Sequence, residues 1–234
     1  MLEELRQRVC NANLRLVADG LVVQTFGNAS ALDRGRGHVV IKPSGVSYDE
    51  MEPEQMVVVS LADGEVVEGN LRPSSDTPTH LELYRHFEGL GGVVHTHSLY
   101  ATAWAQAQRE IPALGTTHAD YFHGPVPCTR TMTDEEIRGE YEANTGKVIV
   151  ERFAELSHRE LPGVLVANHG PFSWGDSPEQ AVHHAAILEH LARLGAATVA
   201  LAPYPRPVSQ QLLNKHYLRK HGPEAYYGQA SGAS

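Results

Sequence analysis

A chain of 234 residues with a formal net charge of −9 can bury one substantial core but lacks the basic surface that nucleic-acid-binding proteins usually need. No apolar run approaches the length of a membrane span, and the N-terminus predicts an amphipathic helix rather than a signal peptide. The two cysteines, Cys10 and Cys128, lie in unrelated contexts, which favours a reducing cytoplasm over a disulfide framework. We therefore expect a cytoplasmic protein that binds neither nucleic acid nor membranes.

The first third of the chain predicts one helix followed by strands joined by short turns. Leu2, Leu5 and Val9 recur at helical spacing, and Asp19–Gly20 ends that helix. The predicted strands are residues 21–26, 30–33, 38–41, 56–61 and 66–67, with a hairpin turn before the last. Because strands joined by short turns pair in opposite directions, this part of the sheet is expected to be largely antiparallel.

Helices alternate with strands in the rest of the chain. Two apolar strands end at His95 and His169. The predicted helices cover residues 75–87, 100–108, 134–156, 177–201 and 208–221, with a possible interruption of the third near residues 144–146. Since no repeat, low-complexity tract or linker is evident, the pattern predicts one α/β domain over residues 1–234, with helices covering a central sheet.

Three histidines at predicted strand ends indicate a metal site. His95 and His97 are two residues apart, and residues i and i+2 of a strand point to the same side. His169 also ends an apolar strand and precedes a glycine. Three imidazoles so placed predict a catalytic zinc ion with an open coordination position; the alternative is that they are hydrogen-bonded core residues. His118 and His123 lie in a loop rich in proline and glycine, where a structural role is the better interpretation.

Asp76 follows two serines at the start of a predicted helix. A carboxylate at that position commonly caps a helix by accepting N–H hydrogen bonds, and spacing alone favours this interpretation. The alternative is an acidic group near the metal, either as a fourth ligand or as an electrostatic partner.

Three turns of small residues are candidates for anion binding, because backbone N–H groups, hydroxyls and amides cradle phosphate well. They are Gly27–Asn28, Ser44–Gly45 and Ser74–Ser75, and Lys42 adds a positive charge. Each turn by itself is better explained as a simple turn. The sequence contains neither a Walker loop nor a Gly-x-Gly-x-x-Gly motif after a strand, which disfavours nucleotide and dinucleotide binding.

Asp120 and the tail residue Tyr227 are candidates for an acid/base pair, and His216 and Arg219 precede the tail tyrosine. A carboxylate and a phenol can exchange protons with a substrate, and an arginine can bind an anion. From the residues alone, a surface location without function is the better interpretation of all four.

Taken as an ordered set, these motifs resemble the class II aldolase/adducin-type family over nearly the whole chain. The motifs are residues 25–30, 42–45, 73–80, 94–98, 168–170 and 215–222. The resemblance implies an α/β sandwich around a mainly antiparallel sheet flanked by helices. It also implies a homotetramer with active sites at subunit interfaces, to which a tail of about residues 208–234 contributes.

The resemblance also implies a role for each candidate residue. One zinc ion per subunit is assigned to His95, His97 and His169, with Asp76 close to the metal; manganese and cobalt stay open as the native metal. The phosphate of a sugar phosphate is assigned to a group made up of Gly27, Asn28, Ser44, Gly45, Ser74 and Ser75, with Lys42 nearby. Asp120 and Tyr227 become the acid/base pair, with Tyr227 reaching the site from a neighbouring subunit, and His216 and Arg219 help to shape the substrate site.

Asp76 points to the epimerase branch of this family. The aldolases of the family tend to carry glutamate after the paired serines, whereas the epimerases carry aspartate, as here. The implied reaction interconverts L-ribulose 5-phosphate and D-xylulose 5-phosphate by breaking the C3–C4 bond and re-forming it with C4 inverted. The alternatives are a class II sugar-phosphate aldolase of the fuculose- or rhamnulose-phosphate type, which releases its fragments, and a non-catalytic interaction module of the adducin type.

Overall fold

The computed structural model describes residues 2–227 of the chain. Within this range the strands are β1 Asn28–Asp33, β2 His38–Ile41, β3 Val57–Ser60, β4 Val66–Glu68, β5 Gly92–His95, β6 Gly163–Leu165 and β7 Pro171–Gly175. The helices are α1 Leu2–Ala18, α2 Thr77–His86, α3 Leu99–Gln106, α4 Thr116–Ala119, α5 Asp134–Arg138, α6 Tyr141–Arg152, α7 Pro178–Leu201 and α8 Gln210–His221. Two short 3-10 helices, Tyr48–Glu50 and Pro53–Gln55, precede β3.

The seven described strands form one sheet in the order β4-β3-β2-β1-β5-β7-β6, and all neighbouring strands are antiparallel. Side chains alternate between the two faces of the sheet, as the pleat requires. Val39 and Val59 join the main core with Tyr84 of α2, whereas Val40 and Val58 pack with α1 on the other face. The expected sandwich, a mainly antiparallel sheet flanked by helices, is confirmed.

The strand predicted at residues 21–26 is wrong. Gln24 has a φ of 54°, and Gly27 has a φ of 84°, so the chain turns twice before β1 begins at Asn28. Val23 and Phe26 are largely exposed, so no burial of their side chains stabilises a strand here. The short apolar run mimics a strand, but β1 instead pairs with β2 and β5.

The helical pattern over residues 134–156 is interrupted earlier than expected. The break lies between α5, which ends at Arg138, and α6, which begins at Tyr141, whereas residues 144–146 lie inside α6. Gly146 is there because α6 packs closely on α2: a Cβ atom at this position would lie 2.5 Å from Cβ of Glu82. The glycine therefore serves helix packing and not a helix end.

The C-terminal tail is described only in part. Ser209 caps α8 by accepting a hydrogen bond from the N–H of Leu212, and the chain then turns back so that the N–H groups of Tyr226 and Tyr227 reach the carbonyl of Arg219. Residues 228–234 of the predicted tail segment lie outside the described residues. None of the helices between residues 2 and 227 is long and apolar enough to cross a membrane.

We expect Gly146→Ala to destabilise the protein. Alanine is the better helix former, but its methyl group would overlap Glu82 and force α6 away from α2. The free energy of unfolding is expected to fall by about 1–3 kcal/mol, the range for overpacked sites. Chemical denaturation measures it, with the exposed neighbour Lys147→Ala as control, and equal stability of the two variants would contradict the close packing.

Candidate active site

The sheet brings the three predicted histidines together. His95 is the last residue of β5, and β5 pairs with β7, where His95 lies opposite Phe172. His169 lies at the tip of the hairpin that joins β6 to β7. His97 lies beyond the strand end, in the loop before α3, so the two-residue period predicted the right neighbours although only His95 is in a strand. One ligand atom from each of the three residues lies within 4.8 Å of the others.

The geometry of His95 suits a metal ligand. Its Nδ1 atom is 3.0 Å from the carbonyl oxygen of Pro171, which can only accept, so Nδ1 carries the proton and Nε2 keeps its lone pair. That Nε2 atom is 3.0 Å from Nε2 of His97. Two nitrogens bound to a tetrahedral zinc ion would be about 3.3 Å apart, given bonds of about 2.0–2.1 Å. The residues present therefore fit a divalent metal held by three imidazoles.

The environment keeps two of these imidazoles, His97 and His169, in the form that binds a metal. Burial and the nearby His95 lower the pKa of His97 below its ordinary value. The same two causes lower the pKa of His169 to about 3. Because only the neutral imidazole offers a lone pair to a metal, the cluster is ready for metal binding at neutral pH.

Asp76 does not cap α2. It occupies the N-cap position, but its side chain makes no capping hydrogen bond, so the interpretation that spacing favoured is wrong. Instead, its Oδ2 atom accepts a hydrogen bond of 2.6 Å from Nδ2 of Asn28. Burial alone would raise the pKa of Asp76, but His95, His80 and the Asn28 amide together hold it below its ordinary value. Direct ligation of a metal by this ionised carboxylate stays a prediction.

The histidines and Asp76 line one cavity of about 430 Å³. The start of β1, the end of β2 and the segment before α2 meet at this edge of the sheet and bring the three predicted anion-binding turns into the same cavity. Its lining includes every residue predicted to hold phosphate in these turns: Gly27, Asn28, Lys42, Ser44, Gly45, Ser74 and Ser75. The location next to the histidines favours a ligand that carries both an anionic group and metal-binding oxygens.

Lys42 supplies the positive charge of this cavity. It is 2% exposed, and burial lowers its pKa. Its Nζ atom lies 3.3 Å from the carbonyl oxygen of Pro43 and above the ring of Tyr48, and no carboxylate of residues 2–227 forms an ion pair with it. A buried cation without a counter-ion is costly, and a bound anion such as phosphate would offset that cost.

Gly27 lets the chain approach the metal cluster. Its φ of 84° lies in the left-handed region, which side chains rarely adopt. A Cβ atom would also lie 2.9 Å from the carbonyl oxygen of His95. Only glycine fits where this turn approaches the end of β5.

The four remaining candidates form a second cluster. The carboxylate of Asp120 accepts hydrogen bonds of 2.9 Å from Nη2 of Arg219 and of 3.0 Å from Nδ1 of His216. The guanidinium of Arg219 lies 4.8 Å from the centre of the Tyr227 ring. Although burial opposes it, His216 and Arg219 hold the pKa of Asp120 below its ordinary value. None of the four lines the metal cavity of the same chain, as far as the described residues show.

Sequence reasoning missed Tyr141 and Glu142, which also line the metal cavity. The ring of Tyr141 is 6.2 Å from that of His169. Both residues belong to the first turn of α6, which the misplaced helix break hid inside a longer helix. The glycine at position 139 was the signal that could have located this helix start.

The other two histidines considered as ligands have structural roles. Nε2 of His118 donates to the carbonyl oxygen of Gly124 at 2.7 Å. Nε2 of His123 contacts Oδ1 of Asn214 at 2.8 Å, and its ring stacks on Tyr217. Neither belongs to the cluster of His95, His97 and His169 found among residues 2–227.

Comparisons with known proteins identify a family and relatives that this chain resembles. Residues 7–195 match the family model described as Class II Aldolase and Adducin N-terminal domain. The chain is 56% identical over 228 residues to L-ribulose-5-phosphate 4-epimerase UlaF of Salmonella paratyphi B, covering 97% of this chain and 100% of that protein. The Salmonella typhi protein of the same name is similar to the same extent.

Solved structures resemble the fold as well. One is L-fuculose 1-phosphate aldolase, with a TM-score of 0.77 and 25% identity over 91% of this chain and 94% of that one. Another is the L-fuculose-1-phosphate aldolase of Thermus thermophilus, with a TM-score of 0.63 and 25% identity over 87% of this chain and 98% of that one. The chain belongs to the class II aldolase and adducin family.

Proposed function

We propose that this protein is an L-ribulose-5-phosphate 4-epimerase, which interconverts L-ribulose 5-phosphate and D-xylulose 5-phosphate. The observation that carries the proposal is one cavity that combines three convergent histidines with Lys42 and the phosphate-type turns. A relative at 56% identity is named for this activity, and the two chains match over nearly their full lengths. We further infer that the bound metal is zinc, since three imidazoles at this spacing suit it.

The reaction needs carbon–carbon bond cleavage because C4 of the substrate bears no acidic proton. Breaking the C3–C4 bond leaves a three-carbon fragment and glycolaldehyde phosphate, and re-forming the bond on the other face of the aldehyde inverts C4. His95, His97 and His169 would hold a divalent metal, which would supply Lewis-acid stabilisation for the negative charge that develops on the three-carbon fragment. We propose that Lys42 and the turns hold the phosphate, so that the aldehyde rotates without escaping.

A group on each face of the aldehyde must move a proton to or from the C4 oxygen. We propose Asp120 and Tyr227 for these roles, with His216 and Arg219 positioning them. Since these residues lie together but outside the metal cavity of their own chain, we propose that they serve the cavity of a neighbouring subunit, as in a homotetramer. The single-domain organisation of residues 1–234 and the cytoplasmic location stay predictions.

An aldolase that releases its fragments is the second candidate, because solved structures named L-fuculose 1-phosphate aldolase share this fold. The epimerase is preferred for two reasons: the residue after Ser75 is aspartate, and the relative at 56% identity is named an epimerase. The intact metal-binding cluster disfavours a non-catalytic module of the adducin type.

Zinc-loaded protein is expected to convert L-ribulose 5-phosphate into D-xylulose 5-phosphate, and a coupled assay measures the product. Removal of the metal by a chelator, or His97→Asn, should lower kcat by about 100-fold or more, because a metal ligand is lost. His118→Asn is the matched control, since that imidazole lies outside the cluster. No turnover by metal-loaded protein would refute the proposal, and free glycolaldehyde phosphate as main product would favour the aldolase.

Mixed oligomers test whether sites are shared between subunits. His97→Asn removes a metal ligand and Asp120→Asn an acid/base group, so each variant alone is expected to be nearly inactive. Unfolding equal amounts of the two variants together and refolding the mixture should restore about a quarter of wild-type activity. About one site in four then combines an intact metal cluster from one subunit with an intact Asp120 from its neighbour. If the mixture stays as inactive as its components, the two halves belong to one chain.

A further inference from the structure

A chain of buried hydrogen bonds runs from α2 into β1 behind the metal cavity. The hydroxyl of Tyr84 is 2.9 Å from Oγ of Ser30, and that Oγ is 2.7 Å from Nδ1 of His80. All three residues are at most 1% exposed. Neither the proposed metal ligands nor the proposed phosphate and acid/base groups include any of them.

Burial fixes where the protons of this chain lie. Ser30 is the one side-chain partner of the Tyr84 hydroxyl among the described residues, and the backbone N–H of Val93 can only donate to the phenol oxygen, so we assign the hydroxyl proton to Oγ of Ser30. The proton of Ser30 then goes to its other partner, Nδ1 of His80, which accepts it. Because Nδ1 accepts this proton, it carries none of its own, so the one N–H group of the ring is on Nε2.

That Nε2–H donor has no hydrogen-bond partner among the described residues although it is buried. Buried donors in folded proteins are almost always paired, so an acceptor is expected close by. Asp76 lies one helical turn before His80, and its backbone carbonyl accepts the His80 N–H at 3.1 Å. Residues four apart on a helix are neighbours, so the Asp76 carboxylate is the candidate acceptor for this N–H group.

We propose that His80 is a positioning residue whose Nε2–H group donates to the carboxylate of Asp76 when the metal is bound. Asn28 already holds Oδ2 of Asp76, so a second donor would fix the carboxylate from two sides. Ser30 and Tyr84 act through His80, because they keep its proton on Nε2. Outer hydrogen bonds of this kind orient metal-site carboxylates and strengthen metal binding. The inference rests on the proposed metal site.

Two substitutions of His80 distinguish the contribution of Nδ1 from that of Nε2. The amide nitrogen of glutamine takes the place of Nε2, so His80→Gln keeps a donor toward Asp76 and loses the contact with Ser30. The side chain of asparagine reaches only as far as Nδ1, so His80→Asn keeps the contact with Ser30 and loses the donor. Equilibrium titration with Co²⁺, followed by the absorption of the bound ion, measures metal affinity without turnover.

We expect His80→Asn to weaken Co²⁺ binding about 10- to 100-fold, the range for lost outer-shell partners. His80→Gln should keep most of the affinity. In an Asp76→Asn background, His80→Asn should change the affinity by no more than about twofold, because its partner is already gone. Equal losses in the two His80 variants, or a full effect of His80→Asn without the Asp76 carboxylate, would show that His80 acts by packing alone.

Two further measurements keep the test decisive. If circular dichroism shows that the His80 variants do not fold, Ser30→Ala takes their place. This variant should weaken Co²⁺ binding only when Asp76 is present. An unchanged affinity of Ser30→Ala for Co²⁺ would overturn the proposal. His97→Asn shows whether the metal site itself exists. If wild-type protein binds Co²⁺ no better than His97→Asn, the proposed function fails, whereas normal wild-type binding with insensitive His80 variants refutes only the role of His80.

Discussion

The antiparallel register of β5, an interior strand of the sheet, is the constraint on which the site depends. His95 lies opposite Asn28 of β1 on one side and opposite Phe172 of β7 on the other. One strand end therefore sets the distance from the metal-binding imidazoles to the turn at Gly27 and to the hairpin tip at His169. A shift of the strand register by one residue would turn His95 to the other face of the sheet and separate it from His169 and from the turn at Gly27. The arrangement of the site thus depends on strand pairing as much as on the identity of its side chains.

The cavity concentrates groups that an ordinary core would exclude. Lys42 and the Asp76 carboxylate are withdrawn from water, and several imidazoles are held neutral around them. Such an arrangement costs folding free energy in the empty protein, because buried charges lose solvation. A dianionic phosphate and a divalent cation would supply the missing counter-charges. The cavity is therefore complementary in charge to a ligand that combines an anionic group with a bound cation.

Much of this arrangement is visible in the sequence, for reasons that differ between residues. His95 and His97 converge because a two-residue spacing at a strand end is local information, and their convergence is confirmed although His97 lies beyond the strand. The apolar run before Gly27 misled because burial, which the sequence does not state, decides whether such a run pairs. The contact of Asp120 with Arg219 joins residues 99 positions apart, so only the family resemblance could suggest it. Tyr141 was missed because a helix start depends on where the preceding helix ends.

The cluster around Asp120 has a consequence for how proteins of this architecture can be recombined. Its carboxylate is tied to His216, Arg219 and Lys220 of α8, and the backbone carbonyl of Asp120 accepts a hydrogen bond from His221. The short helix α4 with Asp120 at its end and the C-terminal helix α8 therefore form one structural unit, although they are far apart in the chain. A chimera that exchanged the tail alone would leave a partly buried carboxylate facing foreign partners. A chimera is therefore expected to acquire the substrate preference of its donor protein only when both distant segments are exchanged together.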